Sequence, residues 1–398
     1  MNAWLLDQGA QPIFWIWAAW GIGGAWVLIR YGGFVHRCRV RLRLHSIEFE
    51  NRTAQSTERE GDVLPAPAQD RINVVIPCRN EARTLPFLLA DLQAQTVPVR
   101  VWVVDDGSDD LTQEVAKKWG VHVLQNQGHG KKMALITAHS AIQASEPSGW
   151  MATLDADVSL DKDWAANLLL EAKRTGADAL VGGVWMEGSP RDAFDRFQTQ
   201  EYACMMSWIK GGVLNESLAM GSGANLLFRT EFYPADRLHR EHASGDDAYA
   251  LMAIKDQGRR IAWSQPIATM VRTRPATAWS GLWNQRARWA SKTIAQDLET
   301  KRVAQLIASV QVFYASAWIL AILMILFHEW ALAGSGLLAA YIGVALAHAH
   351  LIRTAQKHFP LEVHRTDLWM FPMRYSRLVW GSWWYLLRGK VEWKGRRL

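Results

Sequence analysis

The chain has 398 residues, of which 49% are hydrophobic and 21% are charged, and this balance excludes a disordered, collagen-like or small disulfide-stapled protein. Its net charge of +6 is too mild to indicate nucleic-acid binding unless the basic residues cluster. Tryptophan is enriched, with 22 residues, which is typical of membrane interfaces and ring-stacking sites. The scattered cysteines Cys38, Cys78 and Cys204 favour a reducing compartment over a disulfide framework or a zinc site.

The first predicted element is a transmembrane helix within residues 1–30. Residues 12–29 carry no charge, and five arginines follow between residues 30 and 43 without an intervening acid. Such an uncharged run spans the ~30 Å hydrocarbon core of a bilayer, and basic residues collect on the cytoplasmic side. We therefore expect the N-terminus outside and residues 31–70, a basic juxtamembrane segment and linker, in the cytoplasm. The alternative is a buried helix of a soluble protein.

Two further uncharged runs lie at residues 303–327 and 330–352. Each is long enough to cross a bilayer, so the sequence predicts a transmembrane hairpin over residues 301–352 that leaves and re-enters the cytoplasm. Together with the first helix, the hairpin predicts an integral protein of the cytoplasmic membrane, with the middle of the chain in the cytoplasm.

The tail, residues 353–398, holds ten lysines and arginines against three acids, which agrees with a cytoplasmic position. Within it, residues 368–387 are apolar and rich in tryptophan but include Arg374 and Arg377. Two central arginines favour a helix that lies in the membrane interface over one that spans the bilayer. A fourth span stays open as an alternative, and it would place the basic C-terminus outside.

Between residues 71 and 300, short β-branched runs alternate with helix-like stretches. This alternation predicts βαβ units, and so an α/β, Rossmann-like, mixed and mainly parallel sheet, whose ligands bind beyond the carboxyl ends of the strands. The predicted strands are residues 72–77, 99–105, 121–124, 150–155 and 179–184, and the predicted helices are residues 81–94, 109–118, 131–144 and 161–174.

Acidic pairs end two of the predicted strands. Asp155 and Asp157 follow the fourth strand, and strand alternation points both carboxylates the same way. Two such carboxylates suit a hard divalent cation that also holds a diphosphate, although a solvated turn would explain an isolated pair equally well. Asp105 and Asp106 end the second strand, where Asp106 could accept a hydrogen bond from a base or a ribose. Because both strand ends meet at one sheet edge, we interpret them as a ligand site.

Other candidate residues follow in the same region. Glu81 lies after the first strand, and Lys131 begins the third helical stretch, where it could contact phosphate or remain solvated. Asp246 and Asp247 open another helical pattern. Ser244 or Asp246 could serve only as an N-cap, whereas the functional interpretation is a general base at a helix start.

A last polar cluster lies on a helical stretch before the hairpin. Gln285, Arg288 and Trp289 are spaced i, i+3 and i+4, which places them on one helix face. An amide, a guanidinium and an indole together can hold a pyrophosphate and stack on a ring. The alternative is a juxtamembrane arginine and tryptophan anchor, which would account for Arg286.

These motifs, in this order, resemble the membrane-bound family-2 glycosyltransferases with a GT-A fold. The resemblance covers about residues 71–300 and the flanking membrane segments. In layout the chain is most similar to non-processive lipid glycosyltransferases such as ceramide-glucosyltransferase-like enzymes, and the tail over residues 391–397 is similar to tails of such members. One hairpin and an interfacial helix are also few helices to enclose a polymer channel, which favours a non-processive enzyme.

The resemblance implies a role for each motif. Asp106 would contact uridine or its ribose. Asp247, with Asp246 next to it in the sequence, would deprotonate the acceptor hydroxyl. Residues 221–225 match the family's small-residue segment near the acceptor. The expected donor-site residues are Glu81, Asp105, Asp106, Lys131, Asp155, Asp157, Gln285, Arg288 and Trp289, with Asp155 and Asp157 holding the diphosphate through Mg²⁺ or Mn²⁺.

The function implied is inverting, metal-dependent transfer of a sugar from a UDP-sugar to a membrane lipid at the cytoplasmic face. A nucleic-acid partner is not expected. Two alternatives stay open: a processive polysaccharide synthase of the same family, and a sugar-nucleotide-binding membrane scaffold without turnover. The motifs do not encode the donor sugar, the lipid, the choice between Mg²⁺ and Mn²⁺ or the oligomeric state.

Overall fold

The computed structural model describes an α/β domain together with long helices at both ends of the chain. The fold follows the predicted alternation of strands and helices. The described residues are 2–56, 71–146, 148–239, 245–291, 298–326, 328, 330–389, 391–393 and 396–397.

Within the described ranges, seven strands form the central sheet and four others form two small ribbons. The strands are β1 Ile72–Cys78, β2 Val99–Asp105, β3 His122–Gln125, β4 Trp150–Thr153, β5 Ala179–Val181, β6 Val184–Met186, β7 Leu226–Arg229, β8 Ile261–Trp263, β9 Val271–Thr273, β10 Glu392–Trp393 and β11 Arg396–Arg397. The sheet order is β3-β2-β1-β4-β7-β5-β8, and only β7 runs antiparallel to its neighbours. The predicted mixed, mainly parallel α/β sheet is therefore confirmed.

Helices pack against this sheet, in agreement with the crossovers that join parallel strands. The helices are α1 Asn2–Ser56, α2 Leu85–Gln93, α3 Thr112–Lys118, α4 Gly130–Ser145, α5 Trp164–Thr175, α6 Ala193–Leu214, α7 Asp246–Asp256, α8 Trp279–Ala290, α9 Leu298–Leu326, α10 Trp330–Ala355 and α11 Arg365–Leu387. The core is continuous from β1 to α6, with Val74, Val75 and Ile76 of β1 completely buried.

One predicted strand, residues 179–184, is two strands in the structure. β5 stays in the central sheet, whereas β6 pairs with β9 in a separate ribbon. The break falls at Gly182, where a Cβ atom would overlap the side chain of Asn225. That side chain donates hydrogen bonds to the carbonyls of Gly183 and Thr269, each at 2.8 Å, and so holds the two strands apart.

The N-terminal helix and the C-terminal hairpin pack together. α1 contacts both α9 and α10, and it includes the predicted first transmembrane segment. α9 and α10 are the two helices, among the described residues, that are long and apolar enough to cross a membrane. α1 continues to Ser56, although the sequence predicted a juxtamembrane segment and linker over residues 31–70, and residues 57–70 lie outside the described part of the chain.

α11 contains the tryptophan-rich segment and lies against α6, α8 and α10. Its two arginines differ in position. Arg374 is partly buried, and its Nη1 atom lies 3.3 Å from Asp367 Oδ1. Arg377 is exposed, one turn from Met373 and from Trp380, and its guanidinium lies 4.4 Å from the ring centre of Trp279. The exposed side of α11 is largely apolar. We call these residues the α11 stripe: Trp369, Met370, Met373, Trp380, Trp384 and Leu387.

Candidate active site

A cavity of about 410 Å³ lies at the carboxyl ends of β1 and β4. Its walls include all the predicted site residues except Asp105 and Asp106. The charged and amide residues of the lining are Glu81, Lys131, Asp155, Asp157, Asp246, Asp247, Asn284, Gln285, Arg288 and Glu392, with Trp289 beside them. Segments that are far apart in the chain therefore meet where a parallel sheet is expected to bind its ligand.

Four carboxylates line the cavity on the turn after β4 and at the start of α7, and we call them the acidic edge: Asp155, Asp157, Asp246 and Asp247. Asp155 and Asp157 lie on the turn after β4, and Asp157 is exposed. Asp246 and Asp247 are the first residues of α7, where acidic side chains interact favourably with the helix dipole.

Lys131 joins the two acidic pairs. Its Nζ atom lies 2.5 Å from Asp155 Oδ1 and 3.5 Å from Asp246 Oδ2, and it also donates to the carbonyl of Gly223 at 3.3 Å. Burial disfavours the charge on Lys131, but the carboxylates of Asp155 and Asp246 outweigh this effect and raise the pKa of Lys131. The alternative of a solvated lysine at a helix start is therefore wrong, because only 19% of the side chain is exposed.

Asp247 is fixed from two directions. Its Oδ2 atom accepts a hydrogen bond from the backbone N–H of Gly223 at 3.3 Å, and its Oδ1 atom accepts one from the N–H of Ala248 at 2.8 Å. A Cβ atom at Gly223 would lie 2.8 Å from Asp246 Oδ2 and 2.9 Å from Lys131 Nζ, so any larger residue there would displace these charged groups. The predicted small-residue segment thus lies in the cavity wall.

The alternative interpretation of the α7 start as a simple cap does not describe Asp246. The N-cap position is Gly245, with φ +96°, and Asp246 is already helical. Ser244, the other predicted cap, lies outside the described residues.

α8 places Gln285, Arg288 and Trp289 on the cavity, as their spacing predicted. Burial lowers the pKa of Arg288, and all four carboxylates of the acidic edge act in the opposite direction. The guanidinium therefore lies within the electrostatic reach of the acidic edge and stays a cation at neutral pH.

Arg286 is not a membrane anchor. It is 8% exposed, and its Nε and Nη2 atoms both donate to the carboxylate of Glu201 on α6. The guanidinium lies 4.1 Å from the ring centre of Trp289. The residue that the anchor alternative explained best is thus an internal contact between α6 and α8.

The structure does not bring Asp105 and Asp106 to the cavity wall. Asp105 is fully buried and accepts hydrogen bonds from Ser108 and from Gln113 Nε2, the latter at 2.9 Å. Asp106 accepts from Asn126 Nδ2 at 2.7 Å and from the N–H of Gly130, the first residue of α4, at 2.9 Å. Both acids hold the turns that frame the cavity, and a contact between Asp106 and a nucleoside stays a prediction.

A divalent metal that also binds a diphosphate needs only a few oxygen ligands from the protein. The carboxylates of the acidic edge are ligands of this kind. Mg²⁺ is usually bound by one or two carboxylates plus phosphate oxygens and water. Among the described residues there is no cluster of three or more acidic, histidine or cysteine side chains that could hold a metal alone. Asp155 and Asp157 therefore fit a metal site that the substrate completes.

Several cavity residues were not predicted as site residues. Asn284 and Glu392 lie at the rim, where the Asn284 side chain bonds both backbone polar groups of Glu392. The similarity of the tail was the only signal for Glu392. A further group is apolar, and we call it the methionine wall: Met186, Met205, Met206, Ile209 and Met220.

Arg79 is also unassigned by the sequence patterns. It follows β1, and its Nε and Nη1 atoms are buried without a hydrogen-bond partner in the described part of the chain. Buried guanidinium groups ordinarily have partners, and Arg79 is not among the residues that line the cavity.

Residues 73–233 match the family described as Glycosyl transferase family 2. The chain is 33% identical to 4,4'-diaponeurosporenoate glycosyltransferase of Staphylococcus haemolyticus (strain JCSC1435) over 122 residues, 29% of this chain and 30% of that protein. It is 26% identical to poly-beta-1,6-N-acetyl-D-glucosamine synthase of Staphylococcus aureus (strain COL) over 274 residues, 64% of each. The chain thus covers less than two thirds of either relative.

Among solved structures, the mannosyltransferase PcManGT from Pyrobaculum calidifontis, in complex with GDP-Man and Mn²⁺, superposes with a TM-score of 0.47 at 18% identity. The superposition covers 89% of this chain and 99% of that one. The family match runs from β1 past β7, and it includes Glu81, Lys131, Asp155 and Asp157. The chain therefore contains a glycosyltransferase family 2 domain, which confirms the predicted class of enzyme.

Proposed function

We propose that the protein is an inverting, metal-dependent transferase that moves a sugar from a UDP-sugar to a membrane lipid at the cytoplasmic face. The observation that carries the proposal is the composition of one cavity. The acidic edge and Arg288 line this cavity together with the methionine wall.

The polar side suits a nucleoside diphosphate. Arg288 and the amide of Gln285 can donate to phosphate oxygens, and Lys131 adds a cation between the acidic pairs. Asp155 and Asp157 carry the same charge sign as a diphosphate, so they can approach it only through a shared cation. Bound there, Mg²⁺ or Mn²⁺ would neutralise charge on the departing diphosphate.

Asp247 is the proposed general base. Its two backbone hydrogen bonds hold the carboxylate at the cavity, where it can accept the proton of an acceptor hydroxyl. The acceptor oxygen forms a bond to the anomeric carbon while the bond from that carbon to the diphosphate oxygen breaks. UDP leaves with the electron pair, and the single displacement inverts the anomeric centre.

The apolar side supports a lipid acceptor. Met205, Met206 and Ile209 line the cavity from α6, and the same helix packs against α1 and α10. α6 and α1 approach closely at Gly211 of α6, where an added Cβ atom would lie 3.6 Å from the Cβ atom of Arg41 on α1. Methionine side chains are flexible and polarisable, so they can adapt to an irregular apolar group beside the reactive hydroxyl.

The α11 stripe supports a membrane position for this acceptor. Trp369, Trp380 and Trp384 are each between 44% and 52% exposed, and they lie on one side of α11, with the exposed Arg377 among them. An apolar helix side with tryptophan suits the headgroup boundary of a bilayer. Because α11 also packs against α8, the boundary would lie close to Gln285 and Arg288.

The second candidate is a processive synthase. It is favoured by the similarity to poly-beta-1,6-N-acetyl-D-glucosamine synthase, which extends over 64% of this chain. A polymer product would require a channel from partner subunits or further helices, since α9 and α10 are the two candidate spans among the described residues.

Product analysis tests the proposal. Detergent-purified protein is incubated with labelled UDP-sugars, Mg²⁺ or Mn²⁺ and a bacterial lipid extract, and the products are separated by mass. A single glycolipid supports the proposal, and a ladder of masses supports the synthase. UDP binding without transfer to any lipid would contradict both enzymatic candidates and support a scaffold.

A further inference from the structure

The amide of Gln285 is held in one orientation by a neighbouring cation. Its Oε1 atom accepts a hydrogen bond from Arg286 Nη1 at 2.5 Å. A guanidinium has only donors, so the amide atom that faces it must be the oxygen. The NH₂ group of Gln285 is then the end of the amide that remains for the cavity, which this residue lines.

Arg286 is itself fixed by α6. Its Nε atom lies 3.1 Å from Glu201 Oε1 and 3.2 Å from Glu201 Oε2, and its Nη2 atom also donates to Oε2. The guanidinium stacks 4.1 Å from the ring centre of Trp289, another cavity residue. Both members of the ion pair are at most 9% exposed.

Such a buried pair is expensive in desolvation, and apolar side chains of similar size often stabilise a helix contact equally well. What an apolar contact cannot do is set the direction of an amide. The fork of Arg286 reaches Glu201 with two nitrogens and Gln285 with the third, which a lysine ammonium cannot reproduce.

We propose that Arg286, held by Glu201, is a positioning residue that orients the Gln285 amide so that its N–H groups meet the donor diphosphate. The inference rests on the proposed function, because it assumes a diphosphate in the cavity. Arg286 does not line the cavity, and it acts only through Gln285.

A double-mutant cycle on UDP affinity tests this relay by titration calorimetry in the presence of Mg²⁺. Arg286→Lys is expected to weaken UDP binding about tenfold, the value of one hydrogen bond to a charged group. In a Gln285→Ala background, which itself binds about tenfold more weakly, Arg286→Lys should cause no further loss. A purely structural role of Arg286 would weaken binding by the same factor in both backgrounds, and that result would overturn the proposal.

Two more variants keep the test decisive if Arg286→Lys folds poorly. Gln285→Glu retains an acceptor for Arg286 but lacks N–H groups, so it should fold normally and bind UDP as weakly as Gln285→Ala. Wild-type affinity in Gln285→Glu would overturn the relay alone. Absence of UDP binding by the wild-type protein would overturn the donor site and the relay together.

The matched control is Arg174→Lys. Arg174 forms the same two-nitrogen pair with Glu171 on α5, at 2.7 and 2.9 Å, away from the cavity walls. We expect UDP affinity within twofold of the wild-type value for this variant, because a lysine exchange that touches no cavity residue leaves binding unchanged.

Discussion

The acidic edge and the methionine wall line the same cavity but are held in different ways. Lys131, Gly223 and Ala248 hold three of these carboxylates, those of Asp155, Asp246 and Asp247, through ion pairs and hydrogen bonds. The methionine wall is held by packing of flexible side chains. The difference matches two functions. Side chains that act on the reacting atoms must be held in a fixed geometry, whereas side chains that contact an apolar group of the acceptor can change conformation to fit it. Changes at the edge should affect kcat, and changes at the wall should affect the acceptor KM.

The largest expected effect is loss of the proposed base. Asp247→Asn keeps the shape of the side chain and one of its two hydrogen-bonding oxygens but cannot accept a proton. We expect kcat to fall about a thousandfold, within the range for a general base, while the UDP dissociation constant stays within threefold. The measurements are transfer of labelled sugar and titration calorimetry with UDP.

The control for Asp247→Asn is Asp256→Asn, at the other end of α7. It changes the same functional group on the same helix, outside the active-site cavity. If both variants lost activity equally, the effect would come from destabilised α7, and Asp247 would not be the base.

The next effect sharpens the metal assignment. Asp157→Asn, or chelation of divalent metal with EDTA, should reduce transfer about a hundredfold or more, because a metal ion contributes several kcal/mol to the stabilisation of developing charge. Chelation should have little additional effect on Asp157→Asn. The exposed Asp109 provides the control, since Asp109→Asn should remain fully sensitive to EDTA. Undiminished transfer after exhaustive chelation would contradict the metal dependence.

Much of the cavity could be predicted because buried strands have a strong pattern. β2 was predicted at its observed bounds, and the polar residues after β1 and β4 then had to meet at one sheet edge. β7 was not predicted, because four residues give little periodicity and an antiparallel insertion leaves no local signal.

What the sequence could not reveal are contacts between distant segments. Glu201 and Arg286 are 85 residues apart, and Asn284 and Glu392 are 108 residues apart. Nothing in the local pattern indicates that Arg286 is buried and not a membrane anchor. Asp105 and Asp106 show the opposite problem, because an acid at a strand end can bind a ligand or hold a turn, and burial decides between the two.

A smaller effect is expected at the methionine wall. Met220→Gln places an amide against the proposed acceptor group, and the unpaired polar group should raise the acceptor KM about tenfold. kcat and UDP affinity should change less than twofold. Met220→Leu, of similar volume, should resemble the wild type. Equal effects of the two variants, or a loss of UDP affinity in Met220→Gln, would contradict the assignment of acceptor binding to the methionine wall.

The attachment of α11 can be tested through stability. Asp367 is 1% exposed and pairs with Arg196 Nε at 2.8 Å and Arg374 Nη1 at 3.3 Å. Burial opposes the charge, but the Arg196 hydrogen bond outweighs it and lowers the pKa of Asp367. Asp367→Asn should destabilise the protein by about 3 kcal/mol and lower the thermal midpoint by about 5 °C or more.

The pH dependence of this effect has a definite sign. Because the folded-state pKa of Asp367 is lowered, its contribution is present above the unfolded value of about 3.9 and is lost as the pH falls through the folded value. The difference between wild type and variant should be constant from about pH 5 to pH 8 and shrink below about pH 4. The half-exposed pair Arg100–Glu146 is the control, and Glu146→Gln should shift the midpoint by less than about 2 °C. A difference that grew on acidification would contradict the role of the ionised carboxylate.

The smallest effect is expected at the cavity rim, at the contact between Asn284 and Glu392. Asn284 Nδ2 donates to the Glu392 carbonyl at 2.8 Å, and the Glu392 N–H donates to Asn284 Oδ1 at 2.9 Å. Asn284→Ala removes two neutral, partly solvated hydrogen bonds, each worth about 1 kcal/mol. We expect a threefold to tenfold rise in the acceptor KM, since Glu392 would no longer be held at the cavity. Deletion of residues 391–398 should match this rise and leave no further effect of Asn284→Ala. A stronger defect in UDP affinity than in acceptor KM would instead assign the rim to the donor side.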